Sequence, residues 1–66
     1  MASVCINGEN KETNSSTISE LLVELSLADK KVAVEVNKEI VPRDSYKESP
    51  ISTGDKIEIV HFVGGG

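Results

Sequence analysis

The feature that most limits the fold of this chain is a single amphipathic helix. Thr17-Ile18-Ser19-Glu20 has the form of a capping box, in which the Thr17 hydroxyl accepts from the Glu20 amide while the Glu20 side chain reaches back. The apolar residues of one helix face follow at i, i+3, i+4 and i+7: Ile18, Leu21, Leu22 and Leu25. They predict one helix over about residues 18–26. One such helix covers one face of one sheet.

The N-terminal segment predicts a hairpin of that sheet. Val4-Cys5-Ile6 is a short apolar strand followed by Asn7-Gly8. Asn-Gly is the strongest signal for a two-residue turn, because both central residues need positive φ. Residues 9–13 would return as a polar strand at the sheet edge, where charged side chains discourage pairing with another chain.

The segment after the helix predicts a second hairpin. Val32-Ala33-Val34-Glu35-Val36 alternates with period two, so its three valines share one face. Asn37-Lys38 is a weaker turn signal. Glu39-Ile40-Val41 then forms a short strand that ends at Pro42, which has no N–H to donate to a ladder.

The last third of the chain predicts an irregular segment, a turn and a final strand. Residues 42–49 have turn and short-helix composition, with Tyr46 as the anchor on the body. Thr53-Gly54-Asp55 is a turn, and a strand follows over residues 56–62. Ile57 and Ile59 would face the helix. On the opposite, open face of the sheet the alternation places Glu58, Val60 and Phe62.

Size and charge restrict the function of the chain. At 66 residues it is one domain, and so short a chain buries only about 60% of its unfolded surface, which leaves little material for a substrate cleft. Eleven acidic and seven basic side chains give a net charge of −4. This balance disfavours a nucleic-acid binder, which needs a basic surface, and is compatible with a partner that presents one.

Catalytic and metal sites are not visible in the sequence. Cys5 and His61 are the only cysteine and the only histidine, so they form the only conceivable nucleophile–base pair. We favour the interpretation that Cys5 is an inert cysteine in a strand and that His61 faces solvent or a partner. No pair of residues has zinc-ligand spacing, and no glycine-rich phosphate motif occurs. A lone cysteine fits a reducing compartment, and we expect neither a signal peptide nor a membrane span.

The C-terminal residues are the remaining candidate. Val60-His61-Phe62-Val63 is an apolar strand end that runs directly into Gly64-Gly65-Gly66. The four residues from Val63 can extend roughly 13 Å at ~3.3 Å each. Because glycine has no side chain, such a tail can enter a narrow channel and present its carboxylate, an oxygen nucleophile, to a buried site. The alternative is a loose end without a role.

Several stretches, taken in order, resemble one family over nearly the whole chain. They are Ile6-Asn7-Gly8, Val34-Glu35-Val36-Asn37, Ile40-Val41-Pro42-Arg43 to Tyr46, Gly54 to Val60, and Phe62-Val63-Gly64-Gly65. With the element order ββαβ(β)β they resemble the ThiS family of sulfur carriers in thiamine biosynthesis. The resemblance implies an α+β fold of the β-grasp (ubiquitin-like) type, with a mixed four- to five-stranded sheet on one helix. We expect a domain over residues 1–63 and a flexible tail over residues 64–66.

The resemblance also implies a function and partners. A ThiF-like adenylating enzyme would use ATP to activate the terminal glycine carboxylate, sulfur from a persulfide protein would convert it to a thiocarboxylate, and a ThiG-like thiazole synthase would accept the sulfur. The carrier itself would be no enzyme and bind no cofactor or metal. Gly66, with Gly65 beside it, would be the reactive site. Gly64, Val63, Phe62 and Val60 would form the tail and the partner-docking surface.

Some alternatives stay open at this stage. The chain ends in three glycines where the family has two, so either Gly66 extends the tail or trimming makes Gly65 terminal. Phe62 could instead pack on the body beside Tyr46. A molybdopterin synthase small subunit, a ubiquitin-like modifier and a plain binding module are the other functions. We expect a cytoplasmic protein that is monomeric when free, with neither nucleic acid nor membrane as a partner.

Overall fold

The computed structural model describes residues 1–61, which form one five-stranded sheet and one α-helix. The elements in chain order are β1 (Ala2–Ile6), β2 (Glu9–Thr13), α1 (Ile18–Glu24), β3 (Val32–Val36), β4 (Glu39–Val41), a 3₁₀ turn (Arg43–Ser45) and β5 (Lys56–His61). The sheet order is β2-β1-β5-β3-β4. Among the strand pairs formed by residues 1–61, only β1–β5 is parallel. The mixed sheet with one helix confirms the predicted α+β class and places β5 at its centre.

Both predicted hairpin turns are present. Asn7 and Gly8 join β1 to β2 with φ of 50° and 85°, and Asn37 and Lys38 join β3 to β4 with φ of 52° and 71°. Two consecutive left-handed residues match the right-handed twist of the flanking strands. The two asparagines tolerate this conformation because a short polar side chain can bond locally.

The start of α1 follows the predicted capping box, with one difference. Thr17 is extended, and its hydroxyl oxygen accepts from the Glu20 amide at 3.2 Å. The Glu20 carboxylate, however, accepts from the amide of Ser16 at 2.7 Å. The return bond of the box therefore closes on the residue before the cap, where the chain enters the helix.

The helix α1 ends two residues earlier than predicted. The helix ends at Glu24, with Leu25 as its C-cap. Ser26 then adopts φ of 62°, its amide donates to the carbonyl of Val23 at 3.0 Å, and the Leu27 amide donates to the carbonyl of Leu22 at 2.7 Å. This is the Schellman arrangement, in which the left-handed position is usually glycine. Because serine occupies it here, no glycine marks the end of the helix in the sequence.

The core lies between α1 and one face of the sheet. Of the described residues, seven hydrophobic side chains are buried there: Val4, Ile18, Leu21, Leu22, Val34, Ile57 and Ile59. The predicted assignment of Ile57 and Ile59 to the helix side is confirmed. Three core residues come from the seven-residue helix, so α1 provides nearly half of the core.

The segment after β4 packs against the helix start. Tyr46 is half-buried against the core, as predicted, and its hydroxyl donates to the carbonyl of Val32 at 3.4 Å. Its own carbonyl accepts from the amide of Ser19 at 2.9 Å. The irregular segment therefore ties α1 to β3 and fixes the helix on the sheet.

Candidate functional site

Cys5 and His61 are not brought together. Cys5 lies opposite Lys56 in the parallel β1–β5 pair, and His61 is five residues further along β5. At about 3.3 Å per residue this separates them by about 16 Å along the sheet. They also alternate onto opposite faces, since Cys5 neighbours the buried Val4 and His61 follows the face of Ile59. The two residues therefore cannot form a nucleophile–base pair in this fold.

The predicted reactive tail begins where the described residues end. Phe62, Val63, Gly64, Gly65 and Gly66 lie outside residues 1–61, so their predicted roles and the predicted domain boundary at residue 63 stay predictions. Val60 is described. It lies on the open face of the sheet, as predicted, and is 55% exposed. The residues that precede the tail thus belong to the central strand, held from both sides.

The open face carries a second exposed apolar residue, which sequence reasoning missed. Ile40 in β4 is 74% exposed. Ile40 pairs with Glu35 of β3. Ala33, which is also in β3 and on the same face as Glu35, pairs with Val60 of β5. Ile40 and Val60 therefore lie two strands apart on one face, about 10 Å across the sheet. The hairpin register could have predicted this exposure, because a two-residue turn at Asn37-Lys38 pairs Ile40 with Glu35 and places both on the same face.

The helix side of the sheet has an open depression near the end of β5. Because α1 ends at Glu24, it leaves this part of the sheet uncovered. The depression has a volume of about 560 Å³ and is lined by Ile6, Asn7, Glu9, Asn10, Lys11, Leu25, Leu27, Ile59 and His61. His61 is exposed at this position. It was expected to alternate inward, and it does face the helix side, although nothing covers it there among the described residues.

Asn7 connects the first hairpin turn to β5. Its carboxamide oxygen accepts from the amide of Ile59 at 2.8 Å, and its carboxamide nitrogen donates to the carbonyl of Ile59 at 3.1 Å. The backbone amide of Asn7 donates to the carbonyl of Ile57 at 2.9 Å. One residue thus satisfies three backbone groups of the strand that leads to the tail.

Asn37 makes similar bonds at the opposite end of β5. Its carboxamide oxygen accepts from the amide of Lys56 at 3.0 Å, and its nitrogen donates to the carboxylate of Asp55 at 3.1 Å. Its backbone amide donates to the carbonyl of Lys56 at 2.7 Å. The two hairpin turns therefore hold β5 at two points along its length.

A polar cluster joins β2 to the last turn of α1. The carboxylate of Glu24 accepts from the hydroxyls of Thr13 and Ser15 and lies 3.5 Å from the ammonium of Lys11. The two hydroxyl bonds, with the Lys11 charge, hold the pKa of Glu24 below its ordinary value. A carboxylate in the last turn of a helix opposes the helix dipole. These partners offset that cost, so the cluster has a structural role.

Residues 1–61 contain no group of three or more histidine, cysteine, aspartate or glutamate side chains that could hold a metal ion. No helix formed by these residues is long and apolar enough to cross a membrane.

Comparison with known proteins identifies the family. The model of the ThiS family matches residues 4–66, nearly the whole chain. This chain belongs to the ThiS family. The sulfur carrier protein ThiS of Bacillus subtilis is 44% identical over 63 residues, which cover 92% of this chain and 96% of that protein. The family resemblance stated from the sequence is thereby confirmed. Membership among carrier proteins also fits the prediction that the chain is not an enzyme.

A solved structure and a longer relative extend the comparison. The crystal structure of the thiamine biosynthesis protein ThiS from Geobacter metallireducens has a TM-score of 0.81 at 29% identity, covering 97% of this chain and 99% of that one. This confirms the β-grasp fold. A thiazole synthase of Paramagnetospirillum magneticum is 52% identical over 62 residues, which are 92% of this chain but 19% of that protein. The chain thus spans about a fifth of the length of that thiazole synthase.

Proposed function

We propose that this ThiS family member carries sulfur on the carboxyl carbon of its C-terminal glycine. In the first step, a carboxylate oxygen of Gly66 attacks the α-phosphate of ATP, and pyrophosphate leaves. The product is an acyl-adenylate, in which AMP is a good leaving group. We assign ATP binding and this step to a ThiF-like enzyme.

The second step exchanges oxygen for sulfur. The terminal sulfur of a persulfide protein attacks the adenylated carbonyl, and AMP departs with the original carboxyl oxygen. A thiol from a partner protein then reduces the resulting acyl disulfide, which leaves a thiocarboxylate on the glycine and a disulfide among the donor thiols. A ThiG-like thiazole synthase takes this sulfur into the thiazole ring.

One observation carries the proposal: the family match extends to residue 66 and so includes the terminal glycines. Two features of the body support it. The strand that leads to the glycines is central in the sheet, where neighbours hold it on both sides. Cys5 and His61 lie far apart, so they do not offer an alternative reactive pair. We therefore assign the sulfur chemistry to the terminal carboxylate. We assign the reaction to Gly66, or to Gly65 if the last residue is trimmed.

The partners are also part of the proposal. The thiazole synthase of Paramagnetospirillum magneticum contains a stretch 52% identical to this chain, which supports a ThiG-like partner. We propose that the partners dock on the open face at Val60, continued by Phe62, Val63 and Gly64. Val60 and Ile40 give this face two exposed apolar contacts, and apolar surface of this kind often marks an interface. The free carrier is a monomer and acts in the cytoplasm.

Intact-mass analysis tests the chemistry. The chain is incubated with a ThiF-like enzyme, ATP, a persulfide donor and a reductant, and its mass should rise by the difference between one sulfur and one oxygen atom. A chain that lacks Gly65 and Gly66 is the matched control. It should keep its thermal midpoint and gain no sulfur. An unchanged mass for the full chain, in a mixture that converts the Bacillus subtilis carrier, would rule the proposal out.

A further inference from the structure

The end of β5 is held differently on its two sides. On one side β3 pairs with it as far as His61, which lies opposite Val32. On the other side the β1 pairing stops at Ile6, opposite Ile57. The carboxamide of Asn7 then supplies the bonds at Ile59. Among the described residues, Asn7 is the last group that holds β5 on the β1 side.

A carboxamide is well suited to this position. It offers one acceptor and donor hydrogens in a plane, as a peptide group does. The Asn7 side chain therefore continues the ladder for one more step, although the chain itself has already turned into the hairpin. The turn conformation allows this, since Asn7 has φ of 50° and its backbone amide is fixed by the carbonyl of Ile57.

We propose that Asn7 is a positioning residue for sulfur loading. By bonding both the N–H and the C=O of Ile59, it fixes the direction of the last residues of β5, Val60 and His61. The terminal glycines follow seven residues later at most, so their approach to a partner's active site depends on that direction. Small errors in position at a reacting atom reduce rates strongly. This inference rests on the proposed function, because it concerns the delivery of the same carboxylate.

Asn37 provides a matched control for the test. Asn7 and Asn37 occupy the first position of a two-residue turn, have nearly equal positive φ, and each make two side-chain hydrogen bonds. Asn37 acts on the start of β5 at Lys56, about 16 Å from His61 by strand length. Glycine accepts the left-handed conformation at both positions. Asn7→Gly therefore removes two bonds to the backbone of Ile59, and Asn37→Gly removes one bond to the amide of Lys56 and one to the carboxylate of Asp55, at the start of the strand.

The experiment measures sulfur loading by a ThiF-like enzyme at a temperature where circular dichroism shows both variants fully folded. We expect kcat/KM for Asn7→Gly to fall roughly tenfold or more, while Asn37→Gly stays close to the unchanged chain. In the free proteins, the backbone order parameters of Val60 and His61 should fall in Asn7→Gly only. Equal loading of the two variants, or losses that follow their thermal midpoints, would overturn the inference.

A second variant, Asn7→Asp, tests the same role if Asn7→Gly folds poorly. Asn7→Asp keeps an acceptor for the Ile59 amide and loses the donor to the Ile59 carbonyl, so it should fold and load at an intermediate rate. Loading as fast as the unchanged chain would contradict a role for the donor. If the unchanged chain gains no sulfur while the Bacillus subtilis carrier does, the proposed function has failed. If only the inference about Asn7 fails, the unchanged chain still gains sulfur at its full rate.

Discussion

Glu24, in the last turn of α1, accepts a hydrogen bond from the hydroxyl of Thr13 at the end of β2. Thr13 is 2% exposed and is the buried polar residue of the described chain. Its hydroxyl also accepts from the amide of Ser15 at 3.0 Å. This bond links the edge hairpin to the helix through a group that titrates.

The first prediction concerns pH. The pKa of Glu24 is lowered by the bonds from Thr13 and Ser15 and by Lys11, whereas in the unfolded chain it returns to its ordinary value. The stabilisation from its ionised form is therefore complete above that value and is lost as the pH falls through the lower, folded pKa. An NMR titration of the Glu24 carboxyl carbon measures this. Thr13→Val should raise the pKa of Glu24, and an unchanged pKa would contradict the assigned cause.

The second prediction concerns the end of α1. Ser26 has φ of 62° at the position that usually holds glycine. Ser26→Gly should raise the free energy of unfolding by about 1 kcal/mol, since the left-handed conformation is costly for a residue with a Cβ atom. Urea denaturation measures the change. Ser26→Ala is the control and should give no gain, so a gain of equal size in both variants would exclude this mechanism.

The third prediction concerns the core. Leu21 is fully buried between α1 and the sheet. Leu21→Ala should lower the free energy of unfolding by about 2–5 kcal/mol, because it removes transfer energy and leaves a cavity. For so small a domain, this is a large part of the total. Val23 lies on the same helix and is 64% exposed, so Val23→Ala should change stability by less than about 0.5 kcal/mol. Similar losses in both would contradict the burial.

The fourth prediction concerns docking. Changing Val60 and Ile40 together to threonine keeps β-branched side chains in the strands but makes the open face more polar. Affinity for a ThiF-like or ThiG-like enzyme, measured by calorimetry, should fall about tenfold if the two contacts together contribute about 1.4 kcal/mol. Val23→Thr makes the same chemical change on the exposed face of α1 and should leave the affinity unaltered. Equal losses from both faces would show that partners do not select the open face.

Local signals in the sequence account for most of the fold. The pairs Asn7-Gly8 and Asn37-Lys38 predicted both hairpins, and the capping box at Thr17 predicted the start of the helix. These signals are sufficient because turns and caps depend on residues that are adjacent in the chain. The alternation in β5 separated Ile57 and Ile59 from Val60. These features are set by backbone geometry over a few residues, so periodicity and turn chemistry are sufficient to find them.

The features that sequence reasoning missed depend on other causes. Serine carries no sign that it will adopt a left-handed conformation, so the end of α1 was placed two residues late. Ile40 could have been found from hairpin register. The bonds between Asn7 and Ile59 could not, since they join residues 52 positions apart and exist only because β1 and β5 become neighbours. The candidate site was predicted from family resemblance, and of its named residues only Val60 lies in the described range.

The central position of β5 has a consequence for how the protein is made. The first hairpin and the second hairpin each form from local contacts, but they have no shared edge until β5 lies between them. Of the five strands, β5 is the last to leave the ribosome. The sheet therefore closes only when β5 is present between the two hairpins. A chain that stops before β5 leaves the two hairpins without a shared neighbour and removes Ile57 and Ile59 from the core, so the folded body and the strand that bears the tail form together.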